Sequence, residues 1–90
     1  MKKNQLRLNQ TLAALVDEYI GSVEPVSSRI LNEKYLTQVS SATLRLDLMK
    51  LEQQSLICQP HTSAGRIPTI RGYRQYLRMI EPEHQRVRFE

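Results

Sequence analysis

One cysteine, three glycines and four prolines are all that ninety residues contain of the types that staple, loosen or break a chain. The lone Cys58 has no internal disulfide partner. No apolar run approaches the ~20 residues that a membrane helix requires, which argues against a membrane protein. MKKNQLRLNQ opens on two lysines, but polar residues interrupt the stretch after them, so it lacks the apolar region of an export signal and a cytoplasmic location is expected. At 40% hydrophobic and 24% charged residues, the composition is that of neither a disordered nor a fibrous chain. The length allows one small domain that buries a little over ~60% of its unfolded surface.

Catalytic and ligand-holding patterns are missing too. Beyond His61 no second histidine joins a serine or carboxylate pair, His84 lying in the tail, and no glycine-rich phosphate loop is present, so no enzyme, cofactor or small-molecule substrate is expected. Cys58 and His61 have a metal-like spacing, but two ligands do not make a site, and no metal is expected.

Acid is absent from one whole region. Between Gln53 and Ile80 stand Arg66, Arg71, Arg74 and Arg78 with no aspartate or glutamate, while the other nine cations are matched by nine acids elsewhere. The net charge of +4 therefore resides in one segment, as on a surface that meets phosphates. A solvated basic helix would carry the same run.

The apolar periodicity predicts helices. Leu8, Leu12, Leu15, Val16, Tyr19 and Ile20 form one stripe, which stops before Pro25 because a residue preceding proline avoids helical geometry. Ser27 or Ser28 caps a second helix of about two turns, with Ile30, Leu31 and Tyr35 inward. Ser40 or Ser41 caps a third, SATLRLDLMKLEQQ, whose Leu44, Leu48 and Leu51 face in. Ala42, Leu46, Met49 and Gln53 face out, flanked by Thr43, Arg45 and Lys50. LICQP and RIPT then read as short strands joined around Gly65, which is expected to need φ > 0. Thr69 caps a fourth helix with Tyr73, Tyr76, Leu77 and Ile80 on its apolar side, Arg71, Arg74 and Arg78 on another, and Pro82 as its end. The fold class is mainly α with a small β-hairpin, a winged helix-turn-helix of three core helices, a two-stranded wing and a closing helix. Residues 1–80 form the domain; 81–90 read as a polar tail or the start of a further carboxy-terminal region.

In that arrangement the third helix has the shape to enter a major groove and the hairpin lies along the backbone, so double-stranded DNA is the expected partner. Ser40, Ser41 and Thr43 sit where free amides attract a phosphate, although capping explains the serines equally. Arg45 and Lys50 are assigned to base or phosphate, against a reading as solvated cations. Arg29 braces the backbone or pairs with Glu33. His61, Thr62, Ser63 and Arg66 reach phosphates from the hairpin loop, or belong to a plain polar turn. Leu46 and Met49 are groove contacts or a patch that another part of a longer protein covers. Tyr73 and Tyr76 are read as structural.

SSATLRLDLMKLEQQSLICQPHTSAGRIPT, the GY two residues beyond it, and EYIGSVEPVSSRIL resemble the amino-terminal domain of the HrcA heat-inducible transcription repressors over roughly residues 8 to 80. That family usually runs close to SSATIRNEMADLE and QPHTSAGRIPT. The resemblance implies a repressor of chaperone operons on an inverted-repeat operator, dimeric through a larger carboxy-terminal region. The usual Asn is Leu46 here and the following Glu is Asp47, so a different operator preference is expected, with Leu46 on a thymine methyl. ATLRLDL alone would also fit a DeoR-like regulator with another signal. A winged helix used for protein contact and a binder of structured RNA are the rival classes.

Overall fold

The computed structural model describes residues 2–61 and 63–89. Its order is α1 (Lys2–Ser22), α2 (Ser28–Lys34), α3 (Ser41–Gln53), β1 (Ile57–Cys58), β2 (Ile67–Pro68) and α4 (Ile70–Phe89). This is the expected mainly helical chain with a two-stranded antiparallel hairpin, a winged helix-turn-helix.

α1 is the element on which the others assemble, touching α2, α3, α4 and β2. Leu8, Leu12, Leu15 and Val16 are buried on it, and so is Thr11, whose hydroxyl donates to the Arg7 carbonyl at 2.9 Å and so is satisfied. The predicted stripe overreaches at Ile20, which is exposed: it lies in the last turn, about 80° round from Leu12, at the edge of the covered sector. The helix ends on Val23 in the left-handed region, φ 56°, with its amide bonded to the Tyr19 carbonyl at 2.7 Å.

Ser27 caps α2 by accepting from the Ile30 amide at 3.1 Å, and Leu31 fills the core. Tyr35, expected inward, is exposed instead. Its hydroxyl donates to Glu18 at 3.0 Å, beside the 2.9 Å bond from Lys34 Nζ to the same oxygen, and this cluster keeps the ring at the α1–α2 rim. The bond from Lys34, then that from Tyr35, holds the Glu18 carboxyl below its ordinary range. Asn32 sets the α2–α3 turn, donating to the carbonyls of Leu36 at 2.8 Å and Val39 at 2.7 Å.

α3 is capped by Ser40, which accepts from the Thr43 amide at 3.1 Å. Leu44, Leu48 and Leu51 are buried as the pattern predicts, but Asp47, 1% exposed, is buried with them. Arg7 of α1 reaches across, its Nε 2.6 Å from Oδ2 and its Nη2 3.1 Å from Oδ1. After α3 the amides of Leu56 and Ser55 bond to the carbonyls of Leu51 and Glu52, with Ser55 left-handed at φ 63°, a Schellman ending without glycine.

The paired strands are shorter than LICQP and RIPT suggest: Ile57 faces Pro68 and Cys58 faces Ile67. A third segment joins them, because Val26 and Arg66 exchange backbone bonds of 2.8 and 2.9 Å. The expected positive φ at Gly65 is not found; among the described residues no glycine has one. Gly65 is needed for close approach, since a Cβ there would sit 2.8 Å from the Pro25 carbonyl carbon.

Thr69 starts α4, accepting from the Gly72 amide at 3.0 Å and donating to the Ser55 carbonyl at 2.7 Å. Tyr73, Tyr76 and Met79 pack on the core, whereas Leu77, expected inward, is exposed because the buried face turns toward Met79. Pro82 does not end the helix, which reaches Phe89. The bond that proline forfeits would go to the carbonyl of exposed Arg78, which water can satisfy.

Two backbone positions should respond oppositely in urea unfolding. A Cβ at Gly72 would lie 2.0 Å from the Leu56 carbonyl oxygen, so Gly72→Ala lowers stability by on the order of 3 kcal/mol. Val23 is 71% exposed, so Val23→Gly loses little burial and raises stability by up to about 1 kcal/mol, the left-handed penalty less the entropy that glycine adds to the unfolded chain.

The α1–α4 contact makes stability depend on pH. The Tyr76 hydroxyl donates to Asp17, and that bond, with burial and the Asp17 charge, pushes the phenol up from 10.0 to about 12. The protonated phenol is thus favoured by folding: its contribution is whole below pH 10 and is lost as pH rises toward 12. Tyr76→Phe should be less stable than the parent at pH 8, with the gap closing between pH 10 and 12 in urea midpoints.

Candidate nucleic-acid interface

The third helix presents one uninterrupted solvent face. Ser41, Ala42, Arg45, Leu46, Met49, Lys50 and Gln53 are all exposed, because Leu44, Asp47, Leu48 and Leu51 occupy the opposite side. With about 100° per residue, Ala42, Leu46, Met49 and Gln53 form a central row, with Arg45 about 60° to one side and Lys50 about 80° to the other. Two cations thus bracket an apolar centre in which Leu46 is 57% and Met49 52% exposed.

On the Arg45 side a cleft of about 330 Å³ separates the helix from the wing. Arg45, Leu48 and Met49 form one wall, Ala64 and Arg66 the other, and Val26 with Ser28 the floor. The backbone bridge from Val26 to Arg66 sets its width, so the helix and the wing edge act as one unit.

The residues proposed from sequence take different places. Ser40 is occupied as a cap, and its hydroxyl donates to Thr43 Oγ1 at 3.0 Å; Ser41 is free on the first turn. Arg29 is exposed on α2 with its Nε 3.4 Å from Glu33, the local pairing that sequence offered as the alternative. His61 is exposed at the wing tip, and Thr62 lies outside the described residues. Ser63 is half-buried, its Oγ accepting from the Gly65 amide at 3.0 Å while its carbonyl accepts from Gln59 at 3.1 Å.

Arg66 is partly buried, with 23% of its side chain exposed. Its Nη1 donates to the Ala64 carbonyl at 2.7 Å, and its buried Nε stands 3.3 Å from Glu52 without forming a hydrogen bond. The guanidinium therefore clamps the wing to the end of α3. Exposed Arg71, Arg74 and Arg78 share one side of α4, as their spacing predicts.

Sequence reasoning missed Arg7, Asn32, Asp47 and Glu52, which aim the site without lying on its surface. Only Asp47 carried a usable signal, an acid three residues after Leu44 and four before Leu51, at the edge of an apolar row. Among the described residues no three His, Cys, Asp or Glu side chains could hold a metal together, and no helix is long and apolar enough to cross a membrane.

Comparison with known proteins agrees with this architecture. A heat-inducible transcription repressor HrcA of Clostridium perfringens (strain SM101) is 53% identical over 75 residues, covering 82% of this chain and 22% of that protein. HrcA of Synechococcus sp. (strain CC9902) is 46% identical over 83 residues, covering 92% and 26%, and HrcA of Streptomyces avermitilis 52% identical over 68 residues, covering 76% and 20%. The chain therefore spans about a quarter of the length of these relatives and matches their amino-terminal part. A crystal structure of a hypothetical protein at 2.2 Å resolution superposes with a TM-score of 0.80 at 46% identity, covering 84% of this chain and 24% of that one. No protein-family model matches the chain.

The two arginines beside the cleft should separate in a test without any ligand. Arg66→Ala lowers the urea midpoint, by on the order of 1 kcal/mol, and speeds amide exchange at Val26 and Arg66. Arg45→Ala, at an exposed position, leaves both unchanged.

Proposed function

The chain belongs to the family of HrcA heat-inducible transcription repressors, and on that footing we propose that it binds double-stranded DNA, with α3 in the major groove and the wing along the backbone. The observation that carries this reading is the face of α3 bracketed by Arg45 and Lys50, with the wing held beside it across the Val26–Arg66 bridge. A groove-width helix face with cations on both flanks matches a duplex, whose bases lie between two rows of phosphates.

The amides at the start of α3, with Ser41 beside them, favour one phosphate, and Arg45 and Lys50 take others. The wing tip offers His61 and the Ser63 loop to the backbone, while Arg66, bonded to the Ala64 carbonyl, holds that loop in place. The relatives' name, heat-inducible transcription repressor, supports repression that heat relieves; the proposed targets are chaperone operons and the proposed operator is an inverted repeat occupied by a dimer. An isolated half-site contact would lack the effective concentration that dimerisation adds.

Exposed Leu46 and Met49 favour one other reading, docking on a protein partner, with the arginine side of α4 against an acidic surface. That reading predicts no binding of any duplex.

Selection from a random duplex pool should recover a palindrome, and log K for it should fall with log salt by about 0.9 per phosphate contacted. Recovery of no sequence, or a flat salt response, would overturn the DNA reading. Lys50→Ala should weaken cognate and scrambled duplexes alike and flatten the salt slope by about one unit. Arg45→Ala should cost roughly 1–3 kcal/mol of discrimination where it reads a base, and weaken all sequences equally where it touches phosphate.

A further inference from the structure

We infer that α3 reads its site through the 5-methyl groups of pyrimidines, with Leu46 and Met49 as the reading side chains, so that cytosine carrying a 5-methyl group is recognised as thymine is at the same step. The inference rests on the DNA-binding reading above and adds the chemistry of its specificity.

Hydrogen-bonding groups are scarce on the surface that would meet base edges. Asp47, the only acid in the first three turns of α3, is withdrawn into the core by Arg7 and cannot accept from a cytosine amino group. Thr43 is half-buried, with its hydroxyl bonded to Ser40. Arg45 and Lys50 flank the central row, and Gln53 stands in its last position. The middle of the row is left to Leu46 and Met49, both about half exposed, side by side on the one face that two cations bracket.

An apolar side chain pressed on a base edge strips water from its polar atoms and returns no bond, which is a penalty. The one apolar feature of the major groove is the methyl group at pyrimidine C5, where the same contact is a gain. Leu46 and Met49 are about 5 Å apart along the helix axis, roughly one to two base steps, so a single pose can place each on a methyl group of its own. The cleft between Met49 and Ala64 gives the longer side chain room to adjust. Cytosine methylated at C5 carries the same group at the same ring position, so it satisfies the contact even though its exocyclic group differs.

The test uses the duplex recovered by selection, with each pyrimidine replaced in turn by thymine, uracil, cytosine and 5-methylcytosine. At one or two positions per half-site, thymine should bind about fourfold better than uracil, and 5-methylcytosine about fourfold better than cytosine, the increment of one buried methyl group. The salt slope should be the same for all four. Leu46→Ala should abolish the increment at one position and Met49→Ala at the other; both side chains are half in solvent, and an unchanged melting temperature confirms intact folding. Equal binding of thymine and uracil everywhere, with salt-dependent binding retained, overturns methyl reading and leaves the DNA reading standing. Increments that survive both substitutions overturn the assignment to these residues. Failure of every duplex to bind removes the inference together with the reading beneath it.

Discussion

The roll of α3 about its own axis is the quantity on which the proposed interface depends, and the bidentate contact between Arg7 and Asp47 fixes it. Leucines alone define a buried side loosely, since Leu44, Leu48 and Leu51 span a sector within which a helix can turn by some tens of degrees. A carboxylate with 1% exposure has no such latitude, because any roll that separates it from the guanidinium leaves a charge in the core without a partner. Asp47 adjoins Leu46 in sequence, so the contact that buries one determines where the other points. Arg7 lies in α1, the element that also carries the wing side of the molecule through β2 and α4.

The wing is held to the same frame by backbone bonds as well as by the packing of Ile57 and Val26 in the core. Its strands have two residues each, too few to stand alone, and the Val26–Arg66 bridge adds a third chain that arrives directly from the end of α1. Gly65 lets that chain pass at contact distance from Pro25, and Glu52 meets Arg66 from the last turn of α3. At the other end, Ser55 receives Thr69 and the Leu56 carbonyl lies against Gly72, which joins the end of α3, both strands and the start of α4. A loop that looks free in sequence is therefore anchored on both sides, and the residues that anchor it are not those that would touch a phosphate.

Much of the architecture was legible because periodicity reports burial directly. The four helices, the outward row of α3 and the Thr69 cap all follow from spacing and local chemistry, while the structure chooses Ser27 over Ser28 and Ser40 over Ser41 as the other caps. Three apolar assignments failed at edges, Ile20, Tyr35 and Leu77, where a residue satisfies the helical pattern but the neighbour that would cover it stops short or a polar tip is drawn to a charge. Gly65 and Pro82 show the limit of reading single residues by their usual role: one glycine serves proximity rather than an unusual dihedral angle, and one proline stands inside a helix. The pairs Arg7–Asp47 and Arg66–Glu52 join residues distant in sequence or outside any periodic face, so no local pattern announces them. Arg66 is the instructive case. Its position among polar loop residues suggests a phosphate ligand, and spacing alone does not show that its Nη1 also donates to the Ala64 carbonyl or that its Nε stands beside Glu52.

In the proposed interface, the flanking cations and the apolar centre of α3 would divide the work of recognition along physical lines. Cations on the flanks of α3 would act on any duplex, and their contribution would weaken with salt because it would come from displaced counterions. The apolar centre between them would add little to that attraction, but its contribution would be short-ranged, nearly independent of salt and sensitive to a single methyl group. Short-range discrimination requires that the reading side chains not slide, whereas long-range attraction tolerates misplacement of an ångström. The rigid features of the structure are distributed accordingly: the part-buried ion pair holds Asp47, the neighbour of Leu46 in sequence, while the cations Arg45 and Lys50 stand exposed on the flanks, where side chains keep their freedom. Where the fold holds α3 most firmly is where a small displacement would cost the most specificity.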